Sequence, residues 1–270
     1  FLQTHKKHPL ADAASNGLCT ALAQAGRPGE VLTTATRYLT EFPDGEYRAP
    51  VLLKRAQAHS ALGNKESSLP DLEAVLSETP EHSCAGEAAL LLGDNLLALG
   101  QPDQAITGWQ KVPLSQAEAR EEALLKCAKL LYRLGKPQEI REILQNFGAS
   151  PAQSPRLGEA AHWMWKAAAL EGHPESAFEW TLSQLTQGGD EPRAAGIEPL
   201  LRTAGFHASA DPMLTLWHSK LHSLAQTAAE SGQKTLGARL QWAIAKLPNT
   251  HDASTAQQQL VEAATRCPPD

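Results

Sequence analysis

His218 and His222 stand four residues apart in His218-Ser219-Lys220-Leu221-His222, the only spacing in this chain that suits two metal ligands on one helix face. A hydrolytic zinc site would place a glutamate directly after the first histidine, but Ser219 is there, and no third ligand follows nearby. Protein zinc sites use three or four protein ligands, so the pair reads as the polar face of a helix. The chain has no phosphate-cradling glycine-rich loop, no Gly-x-Ser-x-Gly and no paired-carboxylate motif. Glu121, Glu122 and Glu159 fall at expected helix starts, where the helix dipole favours an acid for structural reasons. The cysteines Cys19, Cys84, Cys127 and Cys267 are widely separated, without a Cys-x-x-Cys pair. Cys19 and Cys127 sit in apolar helical stretches and read as buried thiols, while the even count leaves disulfides open. No catalytic residue, metal site or cofactor is expected, and the chain reads as a non-enzyme.

The elements that carry these residues follow a clock. Gly26, Gly63, Gly100, Gly135 and Gly172 recur at intervals of 37, 37, 35 and 37, and four of them open a Gly-x-Pro triplet. A fixed period in this range marks stacked helical hairpins. Seven residues before each glycine stand Cys19, Ala56, Gly93, Ala128 and Trp165, and four before stand Leu22, His59, Leu96, Leu131 and Ala168. One before stand Ala25, Leu62, Leu99, Leu134 and Glu171. These spacings predict a single stripe on a first helix. Five, nine and twelve residues after the glycines, Val31, Ala35 and Tyr38, with their counterparts in the later units, predict a second amphipathic helix. Glycine supplies the positive φ that ends the first helix, and proline suits the first turn of the second. Pro43 and Pro80 are expected to stop the second helix.

Composition agrees. Apolar residues make up 42% of the 270, aromatics only 5%, and the net charge of -6 argues against a general nucleic-acid binder. No run of eighteen apolar residues exists, so membrane insertion is not expected.

The segment from Leu92 to Ile106, Leu-Gly-Asp-Asn-Leu-Leu-Ala-Leu-Gly-Gln-Pro-Asp-Gln-Ala-Ile, followed by Trp109, resembles a tetratricopeptide repeat (TPR). It has that family's Leu-Gly pair, turn glycine, second-helix alanine and later aromatic. The other four units are degenerate matches, the first-helix tyrosine is missing, and the units exceed the usual 34 residues. The resemblance implies an all-α, right-handed superhelical solenoid over residues 1–185, with residues 186–270 an irregular helical region or further degenerate repeats. The phrase Phe1-Leu2…His8-Pro9-Leu10-Ala11-Asp12-Ala13 is similar to bacterial envelope scaffolds, which favours a periplasmic or envelope location over the cytoplasm. Phe1-Leu2 precedes Tyr38-Leu39 by 37 residues, so the chain is expected to open inside the second helix of a preceding unit, with further repeats upstream.

In TPR arrays the first helices line the concave face, and the resemblance therefore assigns the groove by position. It implies Asn16 and Thr20 in the first unit, Lys54 and Gln57 in the second, and Asp94 in the third. The fourth contributes Lys126, Lys129, Tyr132 and Arg133, and the fifth His162, Trp163 and Lys166. Two readings stand for Trp163, groove anchor or core, whereas Trp165 reads as core. The lysines and arginine are either solvated helix charges or a basic patch that clamps a carboxylate or an acidic peptide. The expected function is a non-catalytic scaffold that binds a peptide or protein segment in its groove. The alternatives are a structural arm for self-association or assembly, and the partner-binding part of a larger enzyme.

Overall fold

In the computed structural model the residues described are 10–145, 147, 154–186 and 213–246. Among them every regular element is a helix, and there is no strand. The first three hairpins are α1 (Ala11–Gln24) with α2 (Pro28–Glu41), α3 (Arg48–Ala61) with α4 (Lys65–Glu78), and α5 (Ala85–Ala98) with α6 (Pro102–Gln110). After them come α7 (Ala117–Arg133), α8 (Pro137–Leu144), α9 (Leu157–Glu171), α10 (Pro174–Thr186), α11 (Met213–Glu230) and α12 (Lys234–Lys246).

The turns explain the period. Gly100 has φ +75°, a left-handed conformation that residues with a Cβ rarely adopt. Its N–H bonds the carbonyl of Leu97, and the next N–H, from Gln101, bonds that of Leu96. That crossed pair is the Schellman closure of a helix end. The same two bonds and the same positive φ recur at Gly26, Gly63, Gly135, Gly172 and Gly232. Pro28, Pro102, Pro137 and Pro174 then occupy the first helical position, where a missing N–H costs nothing. Before Pro43 and Pro80, Phe42 and Thr79 leave the helical region, as residues preceding proline do. Gly100→Val is accordingly expected to cost on the order of 1 kcal/mol or more. A Cβ at this position would meet no neighbour, so the loss is torsional rather than steric. Superimposable thermal melts of variant and parent would show that Gly100 does not hold this turn.

Packing follows the predicted stripes with one exception. The positions five, nine and twelve after each turn glycine are buried in all five units, from Val31, Ala35 and Tyr38 to Ala177, Thr181 and Gln184. So are Cys19, Ala56, Gly93, Ala128 and Trp165. The exception is the residue one before the glycine: Leu62 is 47% and Leu134 40% exposed, and Ala25 is exposed too. It is the helix C-cap in the first three units, and there the chain has already begun to turn away from the stripe.

Tertiary contacts divide the chain into two compact units, Phe1–Lys126 and Cys127–Asp270, with a boundary inside α7. In the first unit, α2 packs between α1 and α3, and α4 between α3 and α5. In the second, α9 packs on α8 and α10, and α11 on α12. Within residues 186–270, expected to be irregularly helical or degenerate repeats, the described part holds α11 and α12. The reading at Phe1-Leu2, and that of the last region over 187–212 and 247–270, lie outside the described residues.

Candidate functional site

In the first unit, α3 touches both α1 and α5, so the first helices stand side by side and share a face. The groove-assigned side chains on that face make bonds across hairpins. Lys54 Nζ donates to Asn16 Oδ1 at 3.2 Å, and Gln57 Nε2 to Glu87 Oε1 at 2.6 Å. Burial holds Lys54 below the usual lysine range. Lys126 Nζ reaches both oxygens of Asp94, at 2.8 and 2.7 Å, and lies 3.7 Å from Glu122. The indole of Trp109 donates to the same Asp94 carboxylate at 3.0 Å. Lys126 is therefore not an open cation of a basic patch, as its position implied. The carboxylate of the preceding unit holds it.

The second unit brings another set together. Tyr132 from α7 and Trp163 from α9 lie with ring centroids 5.7 Å apart. The ammonium of Lys166 sits over both rings, 4.9 Å from Tyr132 and 5.0 Å from Trp163. His162 meets Trp163 edge-on at 5.3 Å. Burial lowers the His162 pKa, the Lys166 charge adds to this and Glu159 opposes it. Trp163 is half-buried, and its Nε1 has no acceptor among the described residues. Trp165 is buried, as its position implied. Lys129 and Arg133, four apart on α7, are exposed. Neither they nor Lys166 meet a carboxylate among the described residues.

Successive first helices side by side, glycine-closed hairpins, and Trp109 pressed flat on Gly93 complete the pattern. The fold is a TPR-like hairpin array. Among solved structures, the TPR-like repeats of a kinesin light chain from Podosopora anserina are 20% identical, with a TM-score of 0.47, over 66% of this chain and 94% of that one. A tetratricopeptide repeat protein from Parabacteroides merdae is 18% identical, with a TM-score of 0.45, over 97% of this chain and 88% of that one. No family model matches the chain, and no curated protein matches it.

The TPR-like array also holds features that the sequence reading missed. A recess of about 430 Å³ lies between the starts of α5 and α7, lined by Glu87, Glu118 and Glu122 around Leu90 and Ala119. Its acids come from two helices about thirty residues apart, so no local motif announces it. His82 Nδ1 lies 3.0 Å from the Cys84 sulfur, and burial raises that thiol's pKa. Burial also pushes the Cys127 thiol up to about 12, which keeps it protonated and a poor nucleophile. His222 is exposed on α11 and His218 half-buried, and among the described residues no three His, Cys, Asp or Glu side chains are placed so that they could hold a metal ion together. None of the described helices is long and apolar enough to cross a membrane.

Proposed function

We propose that this chain is a non-catalytic scaffold that binds a protein or peptide segment, with the contact patch formed by Tyr132, Trp163 and Lys166 beside Lys129 and Arg133. The observation that carries the reading is the Lys166 ammonium over two packed aromatic rings, with exposed Lys129 and Arg133 on the helix that carries Tyr132, none of the three meeting a carboxylate among the described residues, in a protein whose net charge is -6. Stacking on the rings holds the Lys166 ammonium in place before any partner arrives, which reduces the ordering cost of binding. The patch suits a segment with acidic residues next to an apolar one: the acids meet the cations and the apolar side chain covers Trp163. Lys54, Gln57, Asp94 and Lys126 are better placed to hold hairpins together than to meet a ligand.

The test is fluorescence anisotropy with labelled peptides that pair Asp or Glu with Leu or Phe, at two salt concentrations. Wild-type affinity is expected to fall as salt rises, because exposed charges are screened. Lys129→Glu, Arg133→Glu and Lys166→Glu together should weaken binding at least tenfold while leaving the melting temperature nearly unchanged. Unchanged affinity in the triple variant would sink the patch. A second reading, a structural arm for assembly, is favoured by the bonded first-helix face of the first unit. It predicts concentration-dependent self-association in sedimentation and no peptide binding.

A further inference from the structure

His162 stands at the edge of the patch formed by Tyr132, Trp163 and Lys166, and histidine is the side chain whose charge ordinarily changes near neutral pH. Its ring lies 5.3 Å from the Trp163 indole and at 71° to it. One turn further along α9, the Lys166 ammonium sits over the same indole at 5.0 Å. His162 and Lys166 are four residues apart and share a helix face. Both are half-buried, so their charges feel each other more than two fully exposed charges would.

The ionisable groups on the packed helices can be taken in turn. On α9 itself, Lys166 opposes a second positive charge at His162, and exposed Glu159, one turn back, favours it. On α7 the titratable neighbour is Tyr132, whose ring lies 5.7 Å from that of Trp163, with Lys129 and Arg133 exposed on the same helix. On α8, Arg141 lies 2.9 Å from Glu171 at the far end of α9, and Glu139 and Glu142 are exposed. On α10 the buried Ala177, Phe178 and Thr181 carry no charge, and Glu175 and Glu179 are exposed. Burial, with the Lys166 charge behind it, holds the ring below the usual histidine range, so it is neutral at pH 7.

We propose that His162 is a proton-operated control on this patch: taking up a proton, it sets a further positive charge beside Lys166, and the patch grips an acidic segment more tightly. This control rests on the peptide-binding reading of the patch. In the free protein the added charge is opposed by burial and by Lys166. An acidic segment lying over the patch offsets the Lys166 charge and so favours the proton. Binding therefore raises the pH at which His162 is protonated, and by linkage a falling pH raises the affinity for the segment. The carboxylates of the segment titrate at about pH 4 and stay ionised over this interval. Their loss of charge would change the affinity in the opposite direction.

The probe is a rhodamine-labelled peptide of Glu and Leu residues, followed by anisotropy at about pH 7.5 and about pH 5.5 and constant ionic strength. Wild-type affinity is expected to rise about threefold or more at the lower pH. His162→Gln, which takes up no proton in this interval, should show the same affinity at both. Imidazole proton resonances of the wild-type protein supply a second readout that does not depend on the variant folding. The His162 titration should move to higher pH when the peptide is added. Equal wild-type affinities at the two pH values, a fall at the lower one, or a rise that survives in His162→Gln would overturn the control and leave peptide binding standing. A His162 titration unmoved by bound peptide would do the same. Absence of binding at both pH values would overturn the control together with the peptide-binding reading.

Discussion

Trp109→Ala is expected to remove about 3–5 kcal/mol from the stability of the first unit, the range for truncating a large buried aromatic side chain. Trp109 is 2% exposed and its indole bonds both the Leu90 carbonyl and the Asp94 carboxylate. Its ring occupies the space that a Cβ at Gly93 would need, and on the other side of the crossing a Cβ at Gly108 would come within 3.1 Å of the Gly93 backbone. The two glycines let α5 and α6 approach, and the ring lies over the gap. Loss of the ring therefore leaves a cavity that neither helix can fill by a side-chain shift. Gly93→Ala tests the same contact from the other side and should cost about 1–3 kcal/mol by overpacking. Denaturant titration of both variants is the measurement. A Trp109→Ala midpoint close to that of the parent would show that the contact contributes little.

Asp71→Ala comes next, with an expected cost of about 2–3 kcal/mol. Arg55 of α3 grips Asp71 of α4 through two bonds, 2.7 Å from Nε and 2.6 Å from Nη2. The Asp71 side chain is 7% exposed and that of Arg55 24%, so the guanidinium left behind recovers only part of its hydration. The cost is set below that of a fully enclosed pair for that reason. Screening reaches such a pair poorly, and the loss should persist at high salt. Replacing both partners together, Arg55→Met with Asp71→Leu, should restore most of it, because no charge is then stranded. Should the double variant prove as unstable as the single one, the ion pair is not the source of the effect.

The hairpins were legible in the sequence because their causes are local. A Schellman turn needs a residue tolerant of positive φ, so Gly26 to Gly172 announce themselves, and the stripes at fixed offsets follow from helix geometry. Leu62 and Leu134 misled the reading, since the arithmetic of a helix stripe carries past the residue where the helix has ended. The groove was assigned from position alone, and position does not say which side chain lies opposite. Lys126 and Asp94 look like separate groove residues until the first helices stand next to each other. Asn95, which donates to Ser60 at 2.6 Å and Ser68 at 2.7 Å, joins three helices and has no signature along the chain. Tyr132 and Lys166 were named for the groove separately, but their stacking with Trp163 depends on how α7 meets α9.

The bonded face of the first unit has a consequence for how this protein diverges. Lys54 with Asn16, Gln57 with Glu87, and Lys126 with Asp94 are partners 38, 30 and 32 positions apart. A change at one leaves a charge or an amide facing nothing, so tolerated changes arrive in twos. Among related chains these positions should drift as covarying couples, each coupling one hairpin to the next. Lys129 and Arg133, which meet no carboxylate among the described residues, are free to change singly, and a lineage acquiring a new partner would alter them first.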